Sequence, residues 1–259
     1  MNKITTEIIK EMKKQRRKIT MLTAYDYITA KFEDEIGIDI ILVGDSLGMV
    51  LHGDLTTLNV TLQDIAYHVK AVSKGVKKAL IIADMPVNTY NTCQDALNNA
   101  RTLLNAGADA VKIEGNKPEI VKCLLENNID IMGHIGLTPQ TITTFKVQGK
   151  DEESKERLIK EAISLEEAGC FAIVLECIPI DLAKKITEKT RVPTIGIGAG
   201  KYCDGQVLVI HDLLGLFENF KPKFVKKYIQ LAPVIKQAIQ EYKTEVVNNN
   251  FPSEEYSYR

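Results

Sequence analysis

The stretch Gly107-Ala108-Asp109-Ala110-Val111-Lys112-Ile113-Glu114 holds the pattern that decides the fold: a glycine, a short apolar run and an acid at its end. Three other stretches repeat it. Gly37-Ile-Asp-Ile-Ile-Leu-Val-Gly leads to Asp45, Gly75-Val-Lys-Lys-Ala-Leu-Ile-Ile-Ala to Asp84, and Gly169-Cys-Phe-Ala-Ile-Val-Leu to Glu176. A short apolar run bounded by turn residues reads as a strand buried on both faces, as parallel strands are. If such strands lie side by side, the four acids gather on one rim.

The segments between the runs carry helical signals. Thr61-Leu-Gln-Asp64 and Thr92-Cys-Gln-Asp95 match the acid-ended capping pattern, each before an apolar-periodic run. Ala96, Leu97, Ala100, Leu103 and Leu104 then make one helical face. Gly75, Gly107 and Gly169 are expected to end helices in the left-handed conformation, Pro118 to sit in a first turn and Pro193 to open a strand. Eight strands are expected: Ile19–Ala24, Ile38–Gly44, Ala79–Ala83, Ala110–Ile113, Asp130–Gly133, Ala172–Leu175, Thr194–Ile197 and Gln206–Ile210. Strand and helix in alternation imply right-handed βαβ units. Eight units in a chain of 259 residues fit a (β/α)8 TIM barrel forming one domain over residues 1–259, with a doubly wound open sheet as the alternative. A helix near Thr6–Gln15 precedes the first strand, and one near Lys223–Glu245 is expected to close the ring.

Composition narrows the function. A hydrophobic fraction of 45 %, a charged fraction of 26 % and a net charge of −1 are ordinary for a soluble globular protein and give no footing for nucleic acid or an anionic membrane. The basic run Lys13-Lys14-Gln15-Arg16-Arg17-Lys18 reads as a solvated helix end. The five cysteines are widely spaced, odd in number and free of any C-x-x-C, which argues against disulfides and zinc and for a reducing cytoplasm. No apolar run approaches the roughly 18 residues of a membrane span, and the first residues lack a signal-peptide core.

In a barrel the chemistry sits at the C-terminal ends of the strands. Asp45 and Ser46 end the second, Asp84 the third, Lys112 and Glu114 the fourth, His134 the fifth and Glu176 the sixth. Aspartates are also common turn and cap residues, but two at equivalent places offer paired oxygen donors of the kind Mg²⁺ takes, with substrate and water completing its shell. Lys112 lies inside an apolar strand and needs a carboxylate, Glu114 or Asp84, unless it serves as a cation for a substrate or as a Schiff-base amine. His134 reads either as a satisfied core histidine or as a site residue. Glu176, after so apolar a strand, is expected to have the raised pKa of a general base. Gly196-Ile-Gly-Ala-Gly200 fails the dinucleotide fingerprint because Lys201 takes the last place. A tight turn or a close approach to a flat ligand or phosphate remain its readings.

Longer motifs carry a resemblance. Thr23-Ala-Tyr-Asp-Tyr27, Leu42-Val-Gly-Asp-Ser-Leu-Gly-Met49, Asp64-Ile-Ala-Tyr-His68, Ala83-Asp-Met-Pro86, Val111-Lys-Ile-Glu-Gly115, Gly133-His-Ile-Gly-Leu-Thr-Pro-Gln140, Lys146-Val-Gln-Gly149, Leu175-Glu-Cys-Ile-Pro179, Ile195–Gly200 and Asp204-Gly-Gln206 span nearly the whole chain. In these the sequence resembles the ketopantoate hydroxymethyltransferase family. The resemblance implies a barrel of the phosphoenolpyruvate/pyruvate superfamily type. It implies transfer of a hydroxymethyl group from 5,10-methylenetetrahydrofolate to 3-methyl-2-oxobutanoate, giving 2-dehydropantoate for pantothenate synthesis through a magnesium-stabilised enolate. Asp45, Asp84 and Glu114 would hold Mg²⁺; Asp45, Ser46, Asp84 and Lys112, with His134, would bind the keto acid; Glu176 would accept the proton. It also implies a homo-oligomer, often a decamer. The alternatives are a magnesium-dependent 2-oxo acid lyase or aldolase without folate, and a non-catalytic barrel that senses a small acid. One departure stands out: Thr143-Thr-Phe145 replaces the Gly-Gly-Tyr that family members usually carry before Lys-Val-Gln-Gly, in a shorter loop.

Overall fold

Eight parallel strands pair in chain order and close on themselves in a computed structural model of the chain. It describes residues 3–140, 146–218 and 222–259, so the departure at Thr143–Phe145 lies outside the described residues. The strands are β1 (Ile19–Thr23), β2 (Ile40–Val43), β3 (Leu80–Asp84), β4 (Ala110–Glu114), β5 (Ile131–Gly136), β6 (Ala172–Glu176), β7 (Thr194–Ile197) and β8 (Gly205–Leu208). All eight overlap the expected runs, but the eighth ends at Leu208, two residues before the expected Ile210. The helices are α1 (Thr6–Lys14), α2 (Tyr27–Ile36), α3 (Leu62–Gly75), α4 (Cys93–Ala106), α5 (Pro118–Glu126), α6 (Glu152–Ala168), α7 (Ile180–Lys189), α8 (Ile210–Leu213) and α9 (Leu231–Val247). The chain divides into two compact units, Met1–Val209 with the barrel and α1 to α7, and Ile210–Arg259 with α8 and α9.

Local signals explain most boundaries. Thr61 and Asp64 form a reciprocal capping box on α3, and the Thr92 hydroxyl accepts from Asp95 N at the start of α4. Gly37, Gly107 and Gly169 end α2, α4 and α6 with φ of +90°, +117° and +108°. Gly75 differs from expectation. It remains inside α3, where a Cβ would stand 2.6 Å from the carbonyl oxygen of Tyr27, so its small size lets α3 lie against α2.

Every second strand residue points into the barrel. Ile40 and Leu42, Leu80 and Ile82, Ala110, Met132, Ala172 and Val174, Ile195 and Val207 fill it, joined by Ile9 and Met12 of α1. The helix α1 is tied to the N-terminal rim, where Lys13 pairs with Asp204 at 2.9 Å and the Thr6 hydroxyl donates to Asp130 at 2.7 Å. On that rim the acid preceding one strand accepts from the amide of its neighbour. Asp39 takes Thr20 N at 2.9 Å, Asp109 takes Ile81 N at 2.8 Å, and Asp204 takes Thr194 N at 2.9 Å.

Two further expectations need correction. The last helix starts at Leu231, not Lys223, because the amides of Tyr228, Leu231 and Ala232 donate to the carbonyls of Leu213, Leu214 and Gly215. And a disulfide joins Cys93 to Cys123, leaving Cys170, Cys177 and Cys203 free. The two lie 30 residues apart in sequence, yet successive helices α4 and α5 bring their Cα atoms within 5.9 Å. Sequence spacing does not report such a meeting.

Candidate active site

Continuing inward-facing positions toward the C-terminal rim exchanges apolar for ionisable side chains. Leu80 and Ile82 lead to Asp84, Ala110 to Lys112 and Glu114, Met132 to His134, and Ala172 and Val174 to Glu176. Register then sets neighbours: Asp84 opposes Lys112, Glu114 opposes His134, and Gly136 opposes Glu176. Asp45 and Ser46 follow β2 beyond Gly44, whose missing side chain matters. A Cβ there would stand 3.1 Å from Ser46 Oγ and 3.2 Å from Asp84 Oδ2.

The geometry forms two connected halves. In the first, Lys112 Nζ lies 2.9 Å from Asp84 Oδ1, and Asp84 Oδ2 accepts from Asp45 N at 3.0 Å. Asp45, Asp84, Lys112 and Glu114 are all buried. In the second, His134 sits between two carboxylates, with Nδ1 at 3.3 Å from Glu114 Oε1 and Nε2 at 3.1 Å from Glu176 Oε2. Glu176 alone of the four acids is only partly buried. The apolar strand leads to it, but its carboxylate meets an imidazole. All the residues singled out in the sequence are therefore brought to this rim.

Electrostatics follow from burial and crowding. Burial, then the charges of Asp84 and Glu114, push the Asp45 carboxyl up to about 8, against Lys112 and a bond from Gln140. Burial also works against the Lys112 ammonium, but Asp84, Glu114 and Asp45 outweigh it and raise its pKa. The same burial opposes ionisation of Glu114, yet His134, Lys112 and the Gln140 amide hold its pKa below the usual range. For His134, burial and Lys112 lower the pKa, and Glu114 and Glu176 reverse them, bringing it to about 9. Three buried acids thus share one lysine and one imidazole.

Does a divalent cation suit these residues? Asp84 Oδ1 takes an ion pair but no hydrogen bond, and Asp45 Oδ1 takes none among the described residues. The space beside them is kept open by Gly44, and the donors are hard oxygens. Among the described residues no group of three His, Cys, Asp or Glu is gathered into a ready cage. An ion here would rest on the aspartate pair with substrate and water around it, the way Mg²⁺ is commonly held. The residues fit.

Three contributors escaped the sequence reading. Tyr25 is buried and shares a 2.8 Å hydrogen bond with Ser46 Oγ. Gln140, also buried, donates through Nε2 to Asp45 Oδ2 at 2.8 Å, and its backbone N donates to Glu114 Oε2 at 3.0 Å. Tyr90 donates to Gln140 Oε1. All three lie in loops or strand ends where periodicity is silent.

Comparison with known proteins places the whole chain in a family. A family model described as ketopantoate hydroxymethyltransferase matches residues 3–254. A 3-methyl-2-oxobutanoate hydroxymethyltransferase from Caldicellulosiruptor saccharolyticus is 50 % identical, with 100 % of each chain covered. One from Clostridium kluyveri is 55 % identical over 95 % of this chain and 91 % of its own. Among solved structures, a phosphonopyruvate hydrolase complexed with oxalate and Mg²⁺ superposes with TM-score 0.64 at 11 % identity, covering 99 % of this chain and 93 % of that one. A 2,3-dimethylmalate lyase, described as a PEP mutase/isocitrate lyase superfamily member, gives 0.62 at 14 % identity, covering 99 % and 89 %. These two likenesses are of fold.

Proposed function

The chain belongs to the ketopantoate hydroxymethyltransferase family, and from that premise we propose that it transfers the hydroxymethyl group of 5,10-methylenetetrahydrofolate to 3-methyl-2-oxobutanoate, for pantothenate synthesis. The observation that carries the mechanism is the division of the rim into a lysine–aspartate half and a histidine–glutamate half.

In this reading Asp45 and Asp84 would hold Mg²⁺ with substrate and water around it, while Glu114, expected to complete the site, has its oxygens toward His134 and the Gln140 amide. Bound there, the ion supplies Lewis acidity that makes the C–H beside the ketone more acidic. Asp45, Asp84, Ser46 and Lys112 receive the keto acid. Glu176 takes the proton from C3, and its carboxylate becomes the carboxylic acid. Lys112, whose ammonium is favoured by its acidic surroundings, stabilises the negative charge that develops on the keto oxygen. The C3 electron pair forms the bond to the methylene carbon as one of its two bonds to folate nitrogen breaks. Water displaces the other nitrogen and supplies the hydroxyl, and the proton from Glu176 and one from water go to the two folate nitrogens. His134, expected to touch substrate, has its two nitrogens toward Glu114 and Glu176, so we assign it the task of orienting the base.

The test is hydrogen–deuterium exchange at C3 of 3-methyl-2-oxobutanoate, with Mg²⁺ and without folate. Exchange by the wild type supports the proton step; none, from an enzyme that turns over with folate, ends it. Product formation without folate would favour the lyase alternative. A homo-oligomer is part of the proposal. Ile28, Phe32 and Ile36 expose an apolar stripe on α2, the kind of surface a partner copy covers. A water-soluble substrate pair fits the cytoplasm, and among the described residues no helix is long and apolar enough to cross a membrane.

A further inference from the structure

Gln140 lies just past β5, yet its side chain reaches the ends of two other strands. Nε2 donates to Asp45 Oδ2 at 2.8 Å and to the carbonyl of Met85 at 3.0 Å. Both amide hydrogens are thereby used. Oε1 accepts from the Tyr90 hydroxyl at 2.5 Å, and that hydroxyl's oxygen accepts in turn from Glu114 N at 3.3 Å. Gln140 and Tyr90 are each 5 % exposed.

An amide can turn over and exchange its oxygen for its nitrogen, so its orientation comes from its partners. The Met85 carbonyl can only accept and so takes Nε2, while the Tyr90 hydroxyl, which accepts from Glu114 N, gives its proton to Gln140 Oε1. That fixes Nε2 toward Asp45. The chain of bonds runs from the Glu114 backbone through a phenol and an amide to one oxygen of Asp45. The other, Oδ1, takes no hydrogen bond among the described residues. The carboxylate is therefore held by one oxygen and presented by the other.

We propose that Tyr90 and Gln140 are a positioning pair that fixes the orientation of the Asp45 carboxylate, and that they act as one unit. Neither is a catalytic residue. The consequence for metal binding rests on the magnesium reading above; the orientation of Asp45 toward the keto acid does not. Hydrogen-bonded partners behind a ligating carboxylate are typically worth about 10- to 100-fold in metal affinity.

The experiment uses the full chain with Tyr90→Phe, Gln140→Leu and the double variant, and Gln140→Glu in case the leucine variant does not fold. Mn²⁺ affinity of the enzyme without substrates is read by electron paramagnetic resonance, beside KM for 3-methyl-2-oxobutanoate and kcat. Each single variant is expected to weaken Mn²⁺ binding about tenfold or more. The double variant should be no weaker than the worse single, because one broken link already frees the amide. In an Asp45→Asn background, Gln140→Leu should add nothing. Unchanged Mn²⁺ affinity and KM in folded Tyr90→Phe, or effects that multiply in the double variant, would overturn the proposal. If wild type bound no Mn²⁺, the metal reading would fall by itself. The same cycle read on KM would then decide the pair: shared effects uphold it, while multiplying or absent effects overturn it.

Discussion

His134 Nε2 lies 3.1 Å from Glu176 Oε2, and the opposite ring nitrogen faces Glu114. In the proposed reaction Glu176 is the base and the buried imidazole orients it, so losing the base and losing its orientation should be separable. Glu176→Gln is expected to lower C3–H exchange by about 10²- to 10⁴-fold. His134→Asn should lower it less, with KM for the keto acid little changed. Full exchange by Glu176→Gln removes Glu176 as the proton acceptor.

Lys112 stands against Asp84 at 2.9 Å with both side chains buried. Removing only the cation leaves a buried carboxylate beside Asp45. Lys112→Met is expected to cost about 3 kcal/mol in chemical denaturation. Mg²⁺ should restore part of this by binding the freed aspartates. A variant as stable as wild type in the absence of Mg²⁺ contradicts this account.

Glu33 is buried on α2, and among the described residues neither carboxylate oxygen takes a hydrogen bond. Burial, and then Asp26, push it up to about 8 from the usual 4.5. The folded state therefore binds the extra proton between those values. Stability attributable to this group falls as pH rises from about 4.5 to about 8 and is level outside that window. Glu33→Gln should flatten the slope and stabilise the protein at pH 8.5, on the order of 2 kcal/mol. Parallel stability–pH curves for the two proteins would show that Glu33 is not the source.

The Cys93–Cys123 bond closes a loop of 30 residues. Thiol titration of the oxidised protein in denaturant should find three free groups of the five in the chain, and all five after reduction. Reduction is expected to destabilise the folded state by about 3 kcal/mol. Five reactive thiols before reduction would show that the bond does not form.

The barrel was legible because β2, β3 and β6 carry no polar residue until the rim, where Asp84 and Glu176 mark the edge. Helix starts were legible where a threonine and an acid cap one turn. Contacts between distant segments were not. Gln140 meets Asp45 across 95 residues, and no local pattern reports it. Gly75 looked like a left-handed cap, but crowding by Tyr27 decides its identity. Lys223 looked like a helix start until the following amides found carbonyls at residues 213–215.

The N-terminal rim gives acids the opposite occupation. Asp39, Asp109 and Asp204 spend their oxygens on the amides of neighbouring strands. The same residue type thus divides into two populations by its height along the barrel axis. Heat-inactivation and lost-turnover selections on one mutant library should enrich different aspartates: the lower set in the first, Asp45 and Asp84 in the second. An engineer seeking a new acceptor acid can then vary the upper tier while the tier that keeps the barrel closed stays untouched.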